Sequence, residues 1–475
     1  MLGDMDHYHE EDETLDVLKR YQDMLIRRSN KFFDLSEYEC IIDFYIDQFN
    51  FKDAIGAVSL AIKQHPYAFS MKLKYIQLLI ETGKPAKALH VIKSLGDTGP
   101  ANYELFLARG IALNLTGKHA EARTVFEQTL KLCDESQDEV AYSIAQSYMQ
   151  VGMPSQAISY LLHAYKYNED NILVLYDLAL NYEKLDCPEK SIQYYKKYLD
   201  LDPFAEHVWN NIGLLYTSIH DIENATEAFD LAIAINPVYY PAYFNKADLF
   251  ELSSNIQGAI RVYNEIVHQD PSNTKALCSL GNCYGDSGNL QEAIRFYQAA
   301  LAISKDSSNA LYGLGMIYLQ QRKFRTSISV LKKAIGLQPE NSDYWFMLGE
   351  AYSGMSKIDQ AIHAYSMACD LNPLDFEACL ACAQAKFRRK RFEEALQMLV
   401  QLYAYDRENP TVNYRLAAYY VYLGKMDQAL LYFEKGLSLN FNEHREIFKE
   451  FPRTRTCGEI KSLVRQHVGR NEYLI

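Results

Sequence analysis

Residues 345–373, WFMLGEAYSGMSKIDQAIHAYSMACDLNP, carry a spacing that recurs along most of the chain. Trp345 is followed by Leu348 and Gly349, then by Tyr352, then by Ala361, Tyr365 and Pro373. Residues 209–237, WNNIGLLYTSIHDIENATEAFDLAIAINP, repeat the same spacing 136 positions earlier, which is four periods of 34. A repeat of this length is typical of a pair of packed helices, so the spacing predicts tandem helical hairpins.

Twelve copies fit one register, with a single inserted residue before the fourth copy. Position 20 is small in every copy, and a small side chain is needed where the two helices of a hairpin cross closely. Position 24 is apolar or aromatic throughout. The first positions are Leu35, Phe69, Tyr103, Asp138, Ile172, Glu206, Tyr240, Thr274, Ser308, Ser342, Phe376 and Pro410.

Twelve of the thirteen prolines agree with this register, because they fall at helix ends or in the turns between helices. Pro85, Pro154 and Pro188 occupy position 17, the turn within a repeat, and seven others occupy position 32, after the second helix. Proline is tolerated at such points because the first turn of a helix leaves its N–H groups unpaired.

The pattern W-x2-L-G-x2-Y, A-x3-F and P at period 34 resembles the tetratricopeptide repeat. The resemblance covers residues 35–441 and implies an all-α fold, a right-handed α-solenoid, in which the repeats form one superhelix. Residues 14–34 are predicted to form an N-terminal capping helix, with Leu15, Leu18, Tyr21, Leu25 and Phe32 on one face. The acidic segment 1–13 is predicted to be a disordered tail. Residues 442–475 are predicted to form a helical C-terminal cap, or alternatively a docking tail ending in Tyr473, Leu474 and Ile475.

Composition narrows the possible roles of the chain. The net charge of −13 disfavours general affinity for nucleic acid. No apolar run reaches the ~20 residues that a membrane span requires. The N-terminus lacks the features of a signal peptide, and nine scattered cysteines favour a reducing compartment. We therefore expect a cytoplasmic protein, and its short regular repeats give the impression of a bacterial source.

No reactive constellation indicates an enzyme or a cofactor. Cys379 and Cys382 have the spacing of half a zinc site, but they occupy helix positions where Trp and Leu stand in other copies, which favours buried free thiols. The glycines near Gly313 lie inside predicted helices with no preceding strand, which excludes a phosphate loop. The prediction is a chain with no catalytic residue, no metal and no cofactor.

The family resemblance assigns positions 2, 5, 9, 12 and 13 of each first helix to a concave groove, and we call these positions the inner face. They contain thirteen acids and three bases. The acids are Glu39, Asp43, Asp47, Glu81, Glu104, Glu139, Glu183, Asp248, Glu251, Asp286, Asp343, Glu350 and Glu377. Position 5 adds aromatic residues, which either pack against the neighbouring repeat or anchor a partner.

These features predict a scaffold or adaptor that binds a basic or aromatic-rich protein segment in the groove. The repeats that clamp acidic tails of heat-shock chaperones are not matched, because the Lys and Arg that flank the asparagines there are missing here. The candidate binding residues are Tyr142, Tyr176, Asn210, Asn211, Phe244, Asn245, Asp248, Glu251, Tyr312, Phe346, Glu350 and Tyr414.

A basic turn in repeat eleven supports an alternative function. Lys386, Arg388, Arg389, Lys390 and Arg391 follow one another closely there. Such a cluster is either a solvated turn or a contact patch for phosphate or an acidic partner. The alternative hypothesis is therefore a regulator that contacts nucleic acid, or a nucleic-acid machine, through this turn. The identity of the partner and the oligomeric state are not predicted.

Overall fold

A computed structural model describes residues 3–27, 29–95 and 102–472, and every regular element in these ranges is helical. The chain forms two compact units, Met1–Tyr239 and Tyr240–Ile475, which are described separately. Each predicted repeat contains a first and a second helix, and both helices lie at the positions that the register assigns to them. This confirms the all-α repeat fold.

The first unit contains a leading helix followed by six helical hairpins. Its helices are α1 (Gly3–Arg27), α2 (Leu35–Asp47), α3 (Phe51–Gln64), α4 (Phe69–Glu81), α5 (Pro85–Leu95), α6 (Tyr103–Leu115), α7 (His119–Leu132), α8 (Gln137–Gln150), α9 (Pro154–Tyr167), α10 (Ile172–Lys184), α11 (Pro188–Leu201), α12 (Glu206–Ser218) and α13 (Ile222–Ile235).

The second unit contains six further hairpins and a helical C-terminal segment. Its helices are α14 (Tyr240–Leu252), α15 (Ile256–Gln269), α16 (Thr274–Asp286), α17 (Leu290–Ile303), α18 (Ser308–Gln320), α19 (Phe324–Leu337), α20 (Ser342–Gly354), α21 (Ile358–Leu371), α22 (Phe376–Arg388), α23 (Phe392–Tyr405), α24 (Pro410–Tyr422), α25 (Met426–Leu439), α26 (His444–Glu450), α27 (Pro452–Thr456) and α28 (Gly458–Glu472).

The crossing point of each hairpin is as tight as the sequence predicts. All twelve residues at position 20 are buried, from Ala54 to Ala429. Ser191 and Ser327, the two that are not alanine, donate their hydroxyls to the carbonyl oxygens of Ala179 and Gly315 at 2.8 and 2.7 Å. A buried polar group is therefore satisfied at the one place where no larger side chain fits.

The small residue at position 8 lies against the aromatic residue at position 24. A Cβ atom added to Gly349 would lie 2.4 Å from the Tyr365 ring, and one added to Gly213 would lie 2.5 Å from the Phe229 ring. These contacts explain why glycine and a large aromatic recur together in the pattern, since the ring fills the space that a side chain would take.

The turn after each first helix imposes a requirement that the sequence analysis missed. Position 15 has a positive φ in all twelve repeats, the left-handed conformation that often ends a helix. Five copies have glycine there, such as Gly424 at φ 73°. The other seven, among them Phe49 at 54° and Lys390 at 62°, adopt the same conformation with a side chain. The tertiary packing of the hairpin therefore overrides the local preference for glycine.

The N-terminal helix differs from its prediction at both ends. It begins at Gly3, inside the segment predicted to be disordered, and ends at Arg27. No proline interrupts this stretch of the sequence. Leu18, Tyr21 and Met24 are buried, whereas the predicted face residues Leu15, Leu25 and Phe32 are exposed.

The described part of the C-terminal segment is helical. Pro452 begins α27 and Gly458 begins α28, as the breaks in the sequence indicate. Ile460, on α28, is fully buried. The alternative docking tail, Tyr473–Ile475, lies outside the described residues.

Candidate functional site

The inner face of repeats two to four forms a cleft of about 460 Å³ in the first unit. Three predicted acids, Glu81, Glu104 and Glu139, line it together with Leu107 and several amide side chains. Among the described residues that line it there is no lysine or arginine. Desolvation raises the pKa of Glu81 above its ordinary value. The structure thus brings together carboxylates from three successive repeats on one concave surface, which would attract a cationic segment.

Farther along the first unit, the candidate aromatic residues are held by neighbouring repeats. The Tyr142 hydroxyl donates to Asp177 Oδ2 at 2.9 Å, and burial raises the pKa of Tyr142 to about 12. Burial also raises the pKa of Asp177, although the hydrogen bond from Tyr142 opposes this shift. The Tyr142 side chain therefore helps to join repeats four and five, and only part of its surface is open to a partner.

Tyr176 belongs to a similar cluster between repeats five and six. Its ring lies 5.6 Å from Tyr195 and 5.9 Å from Tyr198, both edge to face. Asn211 Nδ2 donates to the hydroxyl of Tyr195 at 3.2 Å and to that of Tyr176 at 3.4 Å. Asn210 is buried. The two predicted amides thus support the packing of the repeats, and Tyr176 is half-buried.

In the second unit, Phe244 is almost fully covered by its neighbours. It is 9% exposed, its ring lies 5.9 Å from that of Tyr263, and Lys275 Nζ lies 3.9 Å from its ring centroid. A cation at this distance over an aromatic face is an attractive contact that joins repeats seven and eight. Asn245, the next residue, is half-buried. Phe244 therefore contributes mainly to packing and offers little surface as an anchor.

Position-9 residues of the inner face accept hydrogen bonds from tyrosines that the sequence analysis did not connect with them. The position-24 hydroxyl of Tyr263 donates to Asp248 at 3.0 Å, and that of Tyr365 donates to Glu350 at 2.5 Å. Tyr297 donates to Asn282, the residue at the same position, at 2.6 Å. These three pairs are each fifteen residues apart. A search for polar residues fifteen positions before a tyrosine would have found them.

Glu251 and the remaining aromatic candidates also have partners within the second unit. Cys283 Sγ donates to Glu251 Oε1 at 3.3 Å. Tyr312 lies 4.9 Å from Tyr344, and Phe346 is 8% exposed. Tyr414 has no exposed surface and donates its hydroxyl to the Asn440 carbonyl oxygen at 2.8 Å.

The expectation that position-5 aromatics serve as exposed anchors is therefore wrong for three candidates, Phe244, Phe346 and Tyr414. In each case the adjacent second helix covers the ring. Tyr142, Tyr176 and Tyr312 keep part of their surface open to solvent. They stay candidates for contact with a partner.

The chain places its own C-terminal segment on the inner face of repeats eleven and twelve. Phe451 is 3% exposed, and its ring lies 5.3 Å from Phe387 and 5.5 Å from Tyr419. Phe387, at position 12 of repeat eleven, also stacks on Tyr419 at 4.2 Å. A phenylalanine from outside the repeats thus fills an aromatic pocket on the groove-lining side of this unit.

The neighbouring carboxylate fixes the same segment by polar contacts. Glu450 Oε1 accepts a hydrogen bond from Gln384 Nε2 at 2.5 Å, and its Oε2 accepts one from Arg415 at 3.4 Å. The Arg415 and Glu450 side chains are largely shielded from solvent. Glu450 and Phe451 therefore contact this part of the inner face by polar and aromatic contacts, respectively.

The basic turn of repeat eleven is partly paired with two acids of the same unit, Asp359 and Glu394. Arg389 Nε donates to Asp359 Oδ1 at 2.8 Å, and Arg391 forms two hydrogen bonds with Glu394 at 2.6 and 2.7 Å. Lys386 Nζ lies 3.7 Å from Glu394. Arg388 and Lys390 are exposed. The turn therefore presents less positive charge than its five bases indicated.

The structure places the cysteines of repeats ten and eleven close together. Cys369, Cys379 and Cys382 are free and buried. Among the described residues, no group of three or more His, Cys, Asp or Glu side chains is arranged to hold a metal ion. None of the helices with described residues is long and apolar enough to cross a membrane.

Comparisons with known families agree with the repeat register. Tetratricopeptide-repeat models match residues 73–136, 138–171, 173–204 and 206–239. Residues 268–450 match the family described as cilia and flagella-associated protein 70 C-terminal domain. The bacterial source that the sequence indicated is not supported by this match, since that family is named for cilia and flagella. No curated protein matches the chain.

Solved structures share the repeat at low identity. The crystal structure of MamA is 24% identical, covers 42% of this chain and 96% of its own, and has a TM-score of 0.28. MamA 41-end from Desulfovibrio magneticus RS-1 is 19% identical over 35% of this chain and 93% of its own, with a TM-score of 0.32. YrrB, described as a TPR protein with an unusual peptide-binding site, is 16% identical over 41% of this chain and 97% of its own, with a TM-score of 0.32. At these scores the likeness does not extend to function.

Proposed function

We propose, from the premise that the chain is a tetratricopeptide-repeat protein, that it is a non-catalytic scaffold or adaptor which binds a basic or aromatic-rich segment of a protein partner on its inner face. Tetratricopeptide-repeat domains mediate protein–protein interactions, and the match to the cilia and flagella-associated family supports a role in assembling other proteins. We place the protein in the cytoplasm, and that match supports a setting in a cilium or flagellum.

The observation that carries the proposal is the acidic cleft of repeats two to four. Glu81, Glu104 and Glu139 line one concavity, and its lining contains no side chain of opposite charge. A lysine- or arginine-bearing segment would therefore meet complementary charge, while Leu107 and the neighbouring apolar side chains would cover its aliphatic stems. An acidic segment would be repelled.

The docked C-terminal segment supports the second half of the proposal, which concerns aromatic residues. Phe451 occupies a ring-lined pocket on the inner face of repeats eleven and twelve. This contact indicates that inner-face side chains of this protein can enclose a phenylalanine from another segment. It also means that this end of the second unit is already occupied, so that a partner would bind elsewhere on the inner face.

The alternative, a contact with nucleic acid through the basic turn, receives less support. Three of its five bases have acidic partners within the second unit. Phosphate contacts need cations that are available to replace the counterions of the backbone. The exposed pair Arg388 and Lys390 is a small cationic surface on a chain of net charge −13.

The test is a peptide-display selection on the full chain, followed by binding measurements with synthetic copies of the selected peptides. We expect enrichment of Lys and Arg with nearby aromatic residues. Replacing Glu81, Glu104 and Glu139 together by Gln should weaken binding roughly 10-fold at low salt, because exposed charge pairs contribute ~0.2–1 kcal/mol each.

A matched control carries the same change of charge away from the cleft. Glu189, Glu223 and Glu227 are exposed residues of second helices in the first unit, and the triple Gln variant should bind the peptides as the wild type does. Equal weakening in both variants would show that only net charge matters. Selection of acidic peptides would contradict the proposal, and selective binding of DNA or RNA lost on changing Arg388 and Lys390 to Gln would favour the alternative.

A further inference from the structure

Three cysteines of the second unit form a cluster in the core between repeats ten and eleven. Cys369 lies near the end of α21, while Cys379 and Cys382 lie one turn apart on α22. The Cys369 thiol is hydrogen-bonded to both of the other sulfur atoms. Cys382 Sγ also lies 3.3 Å from Ser366 Oγ. The three thiols are therefore neighbours in one buried cluster where α21 packs against α22.

Two of these thiols can be reached from a cleft. Cys369 and Cys379 line a cavity of about 620 Å³ between α21, α22 and α23, whereas Cys382 lies behind them and is fully buried. The cavity has many times the ~30 Å³ that a water molecule occupies in the liquid. A small solute can therefore meet the first two sulfur atoms without unfolding of the hairpin.

The surroundings favour a thiolate in this cluster. The hydrogen bond from Cys369 lowers the pKa of Cys379. The hydrogen bonds from Cys369 and Ser366 and the positive charge of Lys386 lower the pKa of Cys382 to about 7. Lys386 lines the same cleft. Since the thiolate is the reactive form of cysteine, the lowered pKa of Cys379 favours reaction at a thiol that lines the cleft.

We propose that Cys379 and Cys369 form a reversible oxidation site, at which hydrogen peroxide or another small hydroperoxide converts the two thiols into a disulfide between α21 and α22. This inference is independent of the function proposed above. It assigns to the pair a chemical role that the repeat fold does not require.

The reaction balances in two steps. The Cys379 thiolate attacks one oxygen of hydrogen peroxide, the O–O bond breaks, and Cys379 becomes a sulfenic acid while hydroxide leaves. The Cys369 sulfur then attacks the sulfenyl sulfur, the S–O bond breaks and a second hydroxide leaves as the S–S bond forms. The two thiol protons convert the hydroxides to water. In total, two thiols and one peroxide give one disulfide and two waters, and a dithiol reductant reverses the change.

The second unit contains a matched internal control. Cys278 and Cys283 are also buried, but neither faces another thiol: Cys278 lies 4.0 Å from Ser307 Oγ, and Cys283 donates to Glu251. Burial raises the pKa of both, and the Glu251 carboxylate raises that of Cys283 further. These cysteines should stay reduced under conditions that oxidise the cluster.

The test treats the full reduced chain with hydrogen peroxide, blocks remaining thiols with iodoacetamide and reads the peptides by mass spectrometry. Trypsin with a protease that cuts after glutamate cleaves at Glu377 and so separates Cys369 from Cys379 and Cys382. We expect peptide 358–377 linked to peptide 378–386, lost on treatment with dithiothreitol. Loss of free thiol should be at least ~10-fold faster at Cys379 than at Cys278 or Cys283.

Variants distinguish the assigned pair from general oxidation. Cys369→Ser should abolish the link and leave Cys379 as a sulfenic acid that a dimedone reagent labels, whereas Cys382→Ser should keep the link. Circular dichroism checks that each variant is folded. A link to Cys382 in place of Cys379, a link between chains, or equal oxidation of Cys278 and Cys379 would overturn the proposal.

Discussion

Replacement of Phe451 by alanine should release the C-terminal segment from the inner face of repeats eleven and twelve. The Phe451 ring is 3% exposed and has Phe387, Tyr419 and Tyr422 within 5.3 to 6.4 Å. Truncating a buried phenylalanine costs about 3–5 kcal/mol when the cavity cannot collapse. Terminal segments open locally at free energies below that of the whole fold, so this loss should be sufficient to open α26 and α27.

Hydrogen exchange read by mass spectrometry measures the effect directly. We expect the amides of residues 444–456 to lose protection by about 100-fold or more, since each 1.4 kcal/mol is a factor of ten. Helices of repeats seven to nine should keep their protection, because each repeat is coupled mainly to its neighbours.

Leu431→Ala serves as the control, because this side chain of α25 is 65% exposed and its truncation should leave the protection of α26 unchanged. Protection of residues 444–456 within about 3-fold of wild type in a folded Phe451→Ala variant would refute the reasoning. It would mean that α28 holds the segment in place without the aromatic pocket. An equal loss in the Leu431→Ala variant would show that any truncation near the C-terminus has the same effect.

Three other predictions concern the first unit. Ala225→Glu would place a charge at a fully buried helix crossing, and we expect the free energy of unfolding to fall by on the order of 3–5 kcal/mol. The urea midpoint should fall, and amides of the adjacent repeats should also exchange faster with solvent. Unchanged protection of those amides would contradict the register. Phe49→Gly should raise the free energy of unfolding by a net ~0.5 kcal/mol, seen as a higher urea midpoint, because glycine relieves the ~1–2 kcal/mol cost of the left-handed conformation at φ 54° but is more flexible when unfolded. A lower midpoint would show that the 82%-exposed ring makes contacts that stabilise the fold. Asp177→Asn should stabilise the protein at pH 7, because burial raises the pKa of the Asp177 carboxyl in the folded state. Such a carboxyl contributes stability below its unfolded pKa and loses it as pH rises through the folded pKa, so the stability difference between variant and wild type should vanish near pH 3. A difference that is independent of pH would exclude titration of Asp177 as its cause.

The structure changes how the acidic inner face is understood. Asp248 and Glu350 look like free steering charges in the sequence, yet each accepts a hydrogen bond from a tyrosine of the same repeat. A carboxylate in such a contact is part of the hairpin as well as part of the surface. The acids of repeats two to four are different, because three of them line an open cleft.

The sequence by itself determined the repeat fold. The small residues at position 20, the paired Gly and aromatic at positions 8 and 24 and the prolines at positions 17 and 32 each have a local cause. The first position of every repeat in this register lies within one residue of the start of a helix. The sequence shows these features because each repeat packs its two helices in the same way, so the same residue types recur at a fixed spacing.

The tertiary structure alone decided which of the chemically interesting side chains are available. Tyr414 is buried within its own hairpin, whereas Phe451 comes from outside the repeats and packs against repeats eleven and twelve. The partly paired basic turn and the proximity of Cys369, Cys379 and Cys382 also depend on neighbours that the sequence does not place. The physical reason is that helical periodicity fixes which face a residue occupies, whereas burial, ion pairing and pKa depend on what the adjacent helices bring against that face.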